Sequence, residues 1–203
     1  MTAIAAYVGG QPVSVVEVDR SEARLRAGAA SASLPAAGTG EGRQLRRWLT
    51  QLLVAEQVVR AEAGRLGVDA DGAPGLREVL PDAAARLEIG SVTAAVLSEQ
   101  LARALFEHVT AEVTIGEQEI AGYHARNPMR FARGVPGPGG WRVAADAPEL
   151  AEVRAAIAGH LLAAARRRMF RDWLDARRAE LVELAPGYEH PGDPRQPDNV
   201  HRH

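Results

Sequence analysis

The sequence predicts a mostly helical fold with a small β element made by an N-terminal hairpin and a short C-terminal strand, and three observations carry that prediction. Leu45, Trp48, Leu49, Leu52, Leu53, Val59 and Leu66 recur at helical spacing between Arg43 and Leu66. Two β-prone runs, Ile4 to Val8 and Pro12 to Val15, flank Gly9-Gly10, a pair suited to a tight hairpin turn. A long amphipathic run from Pro148 to Val182 ends in Leu181-Val182-Glu183-Leu184, which can leave the helix as a strand.

The remaining elements follow in chain order. Ser14 caps a helix reaching Arg26, and Glu17 three residues later supplies the other half of a capping box. Residues 27–42 turn to Ala, Gly, Ser and Pro and read as a flexible loop before the Arg43–Leu66 helix, which Gly67 stops. After a turn-rich linker to Gly75, Leu76 to Leu87 forms a shorter helix interrupted at Pro81. Ser91 caps the next helix, whose stripe Val92, Val96, Leu101, Leu105 and Val109 runs unbroken to Val109. Thr114 and Glu117 have capping-box spacing for a helix that Asn127-Pro128 stops near Arg126. Residues 134–140 read as a Pro/Gly-rich connector. The helix from Pro148 to Val182 is too long to pack only on its sequence neighbours and must reach back to the N-terminal half. From Pro186 to His203 the chain is polar, proline-rich and aperiodic, the composition of a disordered tail.

The 203 residues suffice for a real core. With no cysteine, disulfides, thiolate metal sites and cysteine nucleophiles are excluded. All basic residues are arginine, which excludes Schiff-base chemistry, and a net charge of −2 gives no footprint for nucleic acid or membrane. No export signal opens the sequence and no span of eighteen apolar residues occurs, so a cytoplasmic protein is expected.

The order of the units resembles the SurA-like, PpiC-type parvulin chaperones. IAAYVGGQPVSVVEVDR is similar to the opening of that family, with Gly9-Gly10 where Asn-Gly is usual. Leu45 to Val68 resembles the family helix that ends in Gly-Val. VTIGEQEIAGYHARNPMRF, Val113 to Phe131, is the nearest match, to the helix that leads into the parvulin domain. In the family about a hundred residues of isomerase follow that helix, whereas here residues 132–147 link directly to IAGHLLAAARRRMFRDWLDARRAEL, which resembles the family's terminal helix. The resemblance implies one SurA-like (trigger-factor-like) helical domain over residues 1–184, with the parvulin insertion replaced by the linker, and a polar tail over 185–203. It also implies that the terminal helix packs on the first helices, that the segment after it adds a strand to the hairpin, and that the helices form an open apolar cradle without prolyl isomerase activity.

Residue chemistry adds candidates. Histidine occurs at 108, 124, 160, 190, 201 and 203. His190, His201 and His203, with Asp193 and Asp198 nearby, could hold a divalent metal, since alternate residues of an extended chain share a face; a solvated tail is the plainer alternative. Apart from that metal no cofactor is expected. His160 lies on the apolar side of the long helix, as a core histidine or a pocket acid or base. His124 stands beside Tyr123 at the mouth of the missing domain, and His124, His160, His190, His201 and His203 are the catalytic candidates. Trp48, Tyr123, Trp141 and Trp173 are the ligand-binding candidates, as groove-lining aromatics. The Arg166 to Arg178 stretch interleaves with Asp172, Asp175 and Glu180 and reads as a solvated face. Glu107-His108 and Glu117-x-Glu119 match no metal or acid/base spacing, and HExxH is absent.

Two functions are therefore expected. The first is a chaperone or escort that binds apolar peptide segments or a partner protein, as a monomer or a homodimer. The second is a scaffold repurposed as an enzyme or a binder of hydrophobic small molecules in a specialised biosynthetic pathway of a GC-rich bacterium, using a pocket and the C-terminal histidines.

Overall fold

A computed structural model describes residues 3–29, 31–132, 134–136, 142–144 and 147–193. The chain opens with β1 (Ile4–Val8) and β2 (Gln11–Ser14), paired antiparallel. Gly9 and Gly10, at φ 55° and 80°, make the turn; two successive residues in the left-handed region are what a two-residue hairpin turn requires. α1 (Val15–Ala27) follows directly from a complete capping box, in which Glu17 accepts from the backbone N of Ser14 at 2.7 Å and the Glu17 N donates to Ser14 Oγ at 3.3 Å.

α2 (Gly40–Leu66) begins three residues before the expected start, because Thr39 Oγ1 accepts from the Gly42 backbone N at 3.1 Å and extends the helix into the glycine-rich loop. It ends where Gly67 adopts φ 68° and returns its N–H to the carbonyls of Ala63 and Gly64. α3 (Leu76–Val79) and α4 (Ala83–Ile89) are separated around Pro81 as expected.

Two caps differ from the sequence reading. α5 (Ser91–Val96) and α6 (Gln100–Val109) are separate helices, although the apolar stripe runs through both. The carbonyls of Leu97 and Ser98 are captured by Arg103 Nη1 at 3.1 and 2.7 Å, while Arg103 Nε bonds Pro74 O at 2.8 Å. That distant guanidinium replaces helical bonds and fixes the break. Ser91 does not cap α5; its Oγ accepts from Trp48 Nε1 at 3.0 Å. α7 (Glu117–Arg126) starts at Gly116, whose N donates to Glu119 Oε2 at 2.9 Å, so Thr114 is not its cap. Glu117 is engaged by Arg154 Nε at 3.0 Å instead.

Within the expected connector, β3 (Gly134–Pro136) and β4 (Arg142–Ala144) pair antiparallel. α8 (Leu150–Leu181) then spans 32 residues and passes into β5 (Val182–Leu184) without a break. β5 pairs antiparallel with β1, giving a three-stranded sheet in the order β2-β1-β5. The first and last described strands are thus joined by backbone hydrogen bonds.

The main core gathers Val54, Val58, Leu80, Ile89, Leu97, Leu105, Phe106, Phe170 and Leu174 from α2 to α8. A second cluster holds Ala5, Val18 and Leu49 under α1. A third lies between α7 and the first half of α8, around Ile120, Val153 and Ile157. The first residues of the expected disordered tail are docked. Ala185 N donates to Ala5 O at 2.9 Å, Arg47 Nε to Gly187 O at 3.2 Å and Gln51 Nε2 to Tyr188 O at 3.1 Å. Two polar side chains of α2 thereby hold a segment whose own composition gives it no reason to order. Among the described residues no helix is long and apolar enough to cross a membrane.

Candidate functional site

Ion pairs clamp one side of α1 to α2. Glu22, 8 % exposed, accepts from Arg46 Nη1 at 2.6 Å and is paired with Arg26 at 2.7 Å, while Arg46 also reaches Asp19 at 2.7 Å. Burial works against the Glu22 carboxylate, but the bonds from Arg26 and Arg46 outweigh it and hold its pKa below the usual range. Burial likewise opposes the Arg46 charge, and its bonds to Asp19 and Glu22 still raise its pKa.

The other side of α1 stands off α2 and leaves a hollow of about 640 Å³. Val13 of β2, Ala23 of α1 and Leu53 of α2 supply its apolar lining, and Glu17, Arg20, Arg24, Glu56, Gln57 and Arg60 its polar walls. A second hollow of about 280 Å³ shares Arg24, Glu56 and Arg60 with the first and continues over Val59, Val96, Leu101 and Ala102 to Glu99. Together they form a groove along α2 from the hairpin to the start of α6.

The charges in this groove are unequal in how they are engaged. Glu17 is held by the backbone N and hydroxyl of Ser14, and those bonds lower its pKa despite partial burial. Glu56 accepts from Arg60 Nη2 at 3.2 Å. Burial pushes the Glu56 pKa up; Arg60 offsets part of this, Glu99 adds to it and Arg24 opposes it. The side chains of Arg20 and Arg24, one turn apart on the exposed face of α1, take part in no hydrogen bond or ion pair among the described residues. They reach Glu17 and Glu56 only through their fields.

The residues singled out from the sequence lie elsewhere. Trp48 and Trp173 pack against the main core, Trp48 bonded to Ser91 and Trp173 stacked on Phe170 with centroids 5.6 Å apart. Tyr123 belongs to the third cluster, where its ring is 6.3 Å from Phe131 and 5.4 Å from His160, and Phe131 is 6.2 Å from His160. His160 is therefore a packed aromatic neighbour, half-buried between helices. His124 Nε2 lies 2.9 Å from Pro148 O and ties α7 to the start of α8. His108, on exposed α6 surface, borders a shallow hollow with Gly67, Asp69 and Glu107. His190 Nδ1 accepts from Gly192 N at 3.0 Å and sits near Arg171, Asp175 and Arg178. Trp141, Asp198, His201 and His203 lie outside the described residues, so of the proposed metal ligands only His190 and Asp193 are placed. Among the described residues no three His, Asp or Glu side chains gather as a metal site.

None of the described aromatic candidates lines the groove, and none of the groove's residues was a functional candidate in the sequence, where Glu17, Leu53, Val59, Val96 and Leu101 stood only as capping and stripe positions. The available signal was weak: Arg20/Arg24 and Glu56/Arg60 are both spaced four apart, a pattern that ordinary solvated helices share.

Comparison with known proteins adds one match. Residues 4–41 match a family described as a family of unknown function, DUF7158. That stretch contains β1, β2 and α1, which supply one wall of the groove, and reaches the first turn of α2. No curated protein and no solved structure matches the chain.

Proposed function

We propose that the protein is a SurA-like helical holder without a prolyl isomerase unit, which binds extended apolar segments of a client or partner protein in the groove between α1 and α2. The observation that carries this reading is the groove itself: two adjoining hollows of about 640 and 280 Å³, the larger with a partly apolar floor and the smaller lined mostly by polar groups, open on one side. An extended segment needs a trough in which side chains can shed water without a demand for one sequence, and Ala23 and Leu53, with Leu101 beyond them, offer apolar contact there. The resemblance to parvulin chaperones supports the same reading through its implied architecture, with a terminal helix against the first helices and a last strand beside the opening hairpin.

The protein is expected to suppress aggregation of several unrelated unfolding proteins at near-stoichiometric ratio, and to show no turnover of proline peptides. Gln57→Trp fills the first hollow from a half-buried position outside the clustered core. Light-scattering assays should show about tenfold less suppression for that variant, the effect of removing one to two buried apolar contacts. Circular dichroism checks that it remains folded. Suppression unchanged by Gln57→Trp, or protection of no client at all, contradicts the proposal.

A further inference from the structure

The groove's charges are arranged to choose among apolar segments. We infer that it prefers segments bearing an acidic side chain among apolar ones, with Arg20 and Arg24 receiving the carboxylate. This inference rests on the reading of the groove as a peptide site.

Six ionisable side chains face the groove: Glu17, Arg20, Arg24, Glu56, Arg60 and Glu99. Glu56 is paired with Arg60 at 3.2 Å, while Glu17 is held by the neutral backbone N and hydroxyl of Ser14 at 2.7 and 2.8 Å and keeps its charge, whose field reaches Arg20. The first hollow therefore carries three guanidiniums, Arg20, Arg24 and Arg60, against two carboxylates, and Glu99 stands at the far end of the second. The balance is positive beside the larger hollow and turns toward negative at Glu99. An occupant that lays apolar side chains on Val13 and Leu53 places its next side chain against α1, where a carboxylate meets two guanidiniums able to bond both of its oxygens. A basic side chain at the same point meets like charge from both. Glu99 repels a carboxylate from the second hollow, so the order of charges also gives the bound segment a direction.

The test uses the full chain and three fluorescent peptides of one apolar sequence, blocked at both ends, with Glu, Gln or Lys at the centre. Anisotropy should rank them Glu, Gln, Lys from tightest to weakest, with about three- to tenfold between Glu and Lys, the range for two partly exposed ion pairs. The gap should narrow in added salt. The double variant Arg20→Glu/Arg24→Glu, at two exposed positions of α1, should reverse the order of Glu and Lys, with the Gln peptide measured beside them as the neutral reference. Equal binding of all three peptides, or an order that survives the charge reversal, overturns the inference while leaving the groove reading in place. A fourth peptide, the Gln sequence with a free C-terminus, should bind more weakly than the Glu peptide, and tighter binding by it overturns the assignment to an acidic side chain. Failure of all three peptides, Gln included, overturns both readings together.

Discussion

Phe170→Ala should lower folding stability by about 3–5 kcal/mol, the cost of emptying a well-packed aromatic site. Phe170 is 0 % exposed on α8. Its ring meets Phe106 of α6 edge-on with centroids 5.5 Å apart, and Trp173 stacks on it at 5.6 Å. Arg166 lies over the other partner, its guanidinium carbon 5.2 Å from the Phe106 centroid. Removing Phe170 therefore undoes a stack of three rings and the surface on which α8 rests against the earlier helices. Urea unfolding should show a much lower midpoint with an unchanged slope. Met169→Ala is the matched control, since the adjacent side chain is 47 % exposed and its loss should stay within about 0.5 kcal/mol. Equal effects at the two positions would mean that α8 does not close the core.

Glu62→Gln should be the next most damaging change, because it removes the charge that joins α2 to α8 while keeping the side chain's volume. Glu62 is 2 % exposed and takes Arg65 at 2.8 Å and Arg177 at 3.0 Å, the latter 115 residues away. Breaking one partner of a buried pair costs about 3–5 kcal/mol, and since both arginines keep contact with water the lower end applies. The pH dependence has a definite sign. Burial opposes ionisation of Glu62, yet the bonds from Arg65 and Arg177 prevail and its pKa is depressed. A carboxylate with a depressed folded pKa contributes stability that is present above the ordinary carboxylate range and lost as pH falls through the folded value. The gap between wild type and Glu62→Gln should therefore be full at neutral pH and close on acidification, as chemical denaturation across a pH series can read. A gap independent of pH would assign the effect to packing.

Where local rules decide a structure, the residues could be read directly. The Ser14/Glu17 box, the Gly9-Gly10 turn, the Gly67 stop and the break at Pro81 all depend on neighbours within a few positions. Other misreadings turn on partners farther along the chain. Helices α5 and α6 carry one continuous apolar stripe, and the break between them is made by Arg103 capturing carbonyls and bridging to Pro74. Residues 185–193 have the composition of a loose tail and are ordered by Arg47 and Gln51, 137 or more positions away. The groove was illegible for the same reason. Its walls are ordinary amphipathic helices, and the space between them follows from where Arg46 pins Glu22 and Asp19, at separations of 24 and 27 residues. The aromatic candidates among the described residues, Trp48, Tyr123 and Trp173, pack the core and the α7/α8 seam.

Site-specific photo-crosslinking tests the peptide-binding groove most directly. A photoreactive residue at Ala23, on the lining of the first hollow, should crosslink an unfolded client on irradiation, and Gln57→Trp in the same chain should abolish the adduct. The same probe at Met169, exposed on α8 outside the groove, should give none. Strong adducts at Met169 with none at Ala23 would place client binding on another surface and contradict the account.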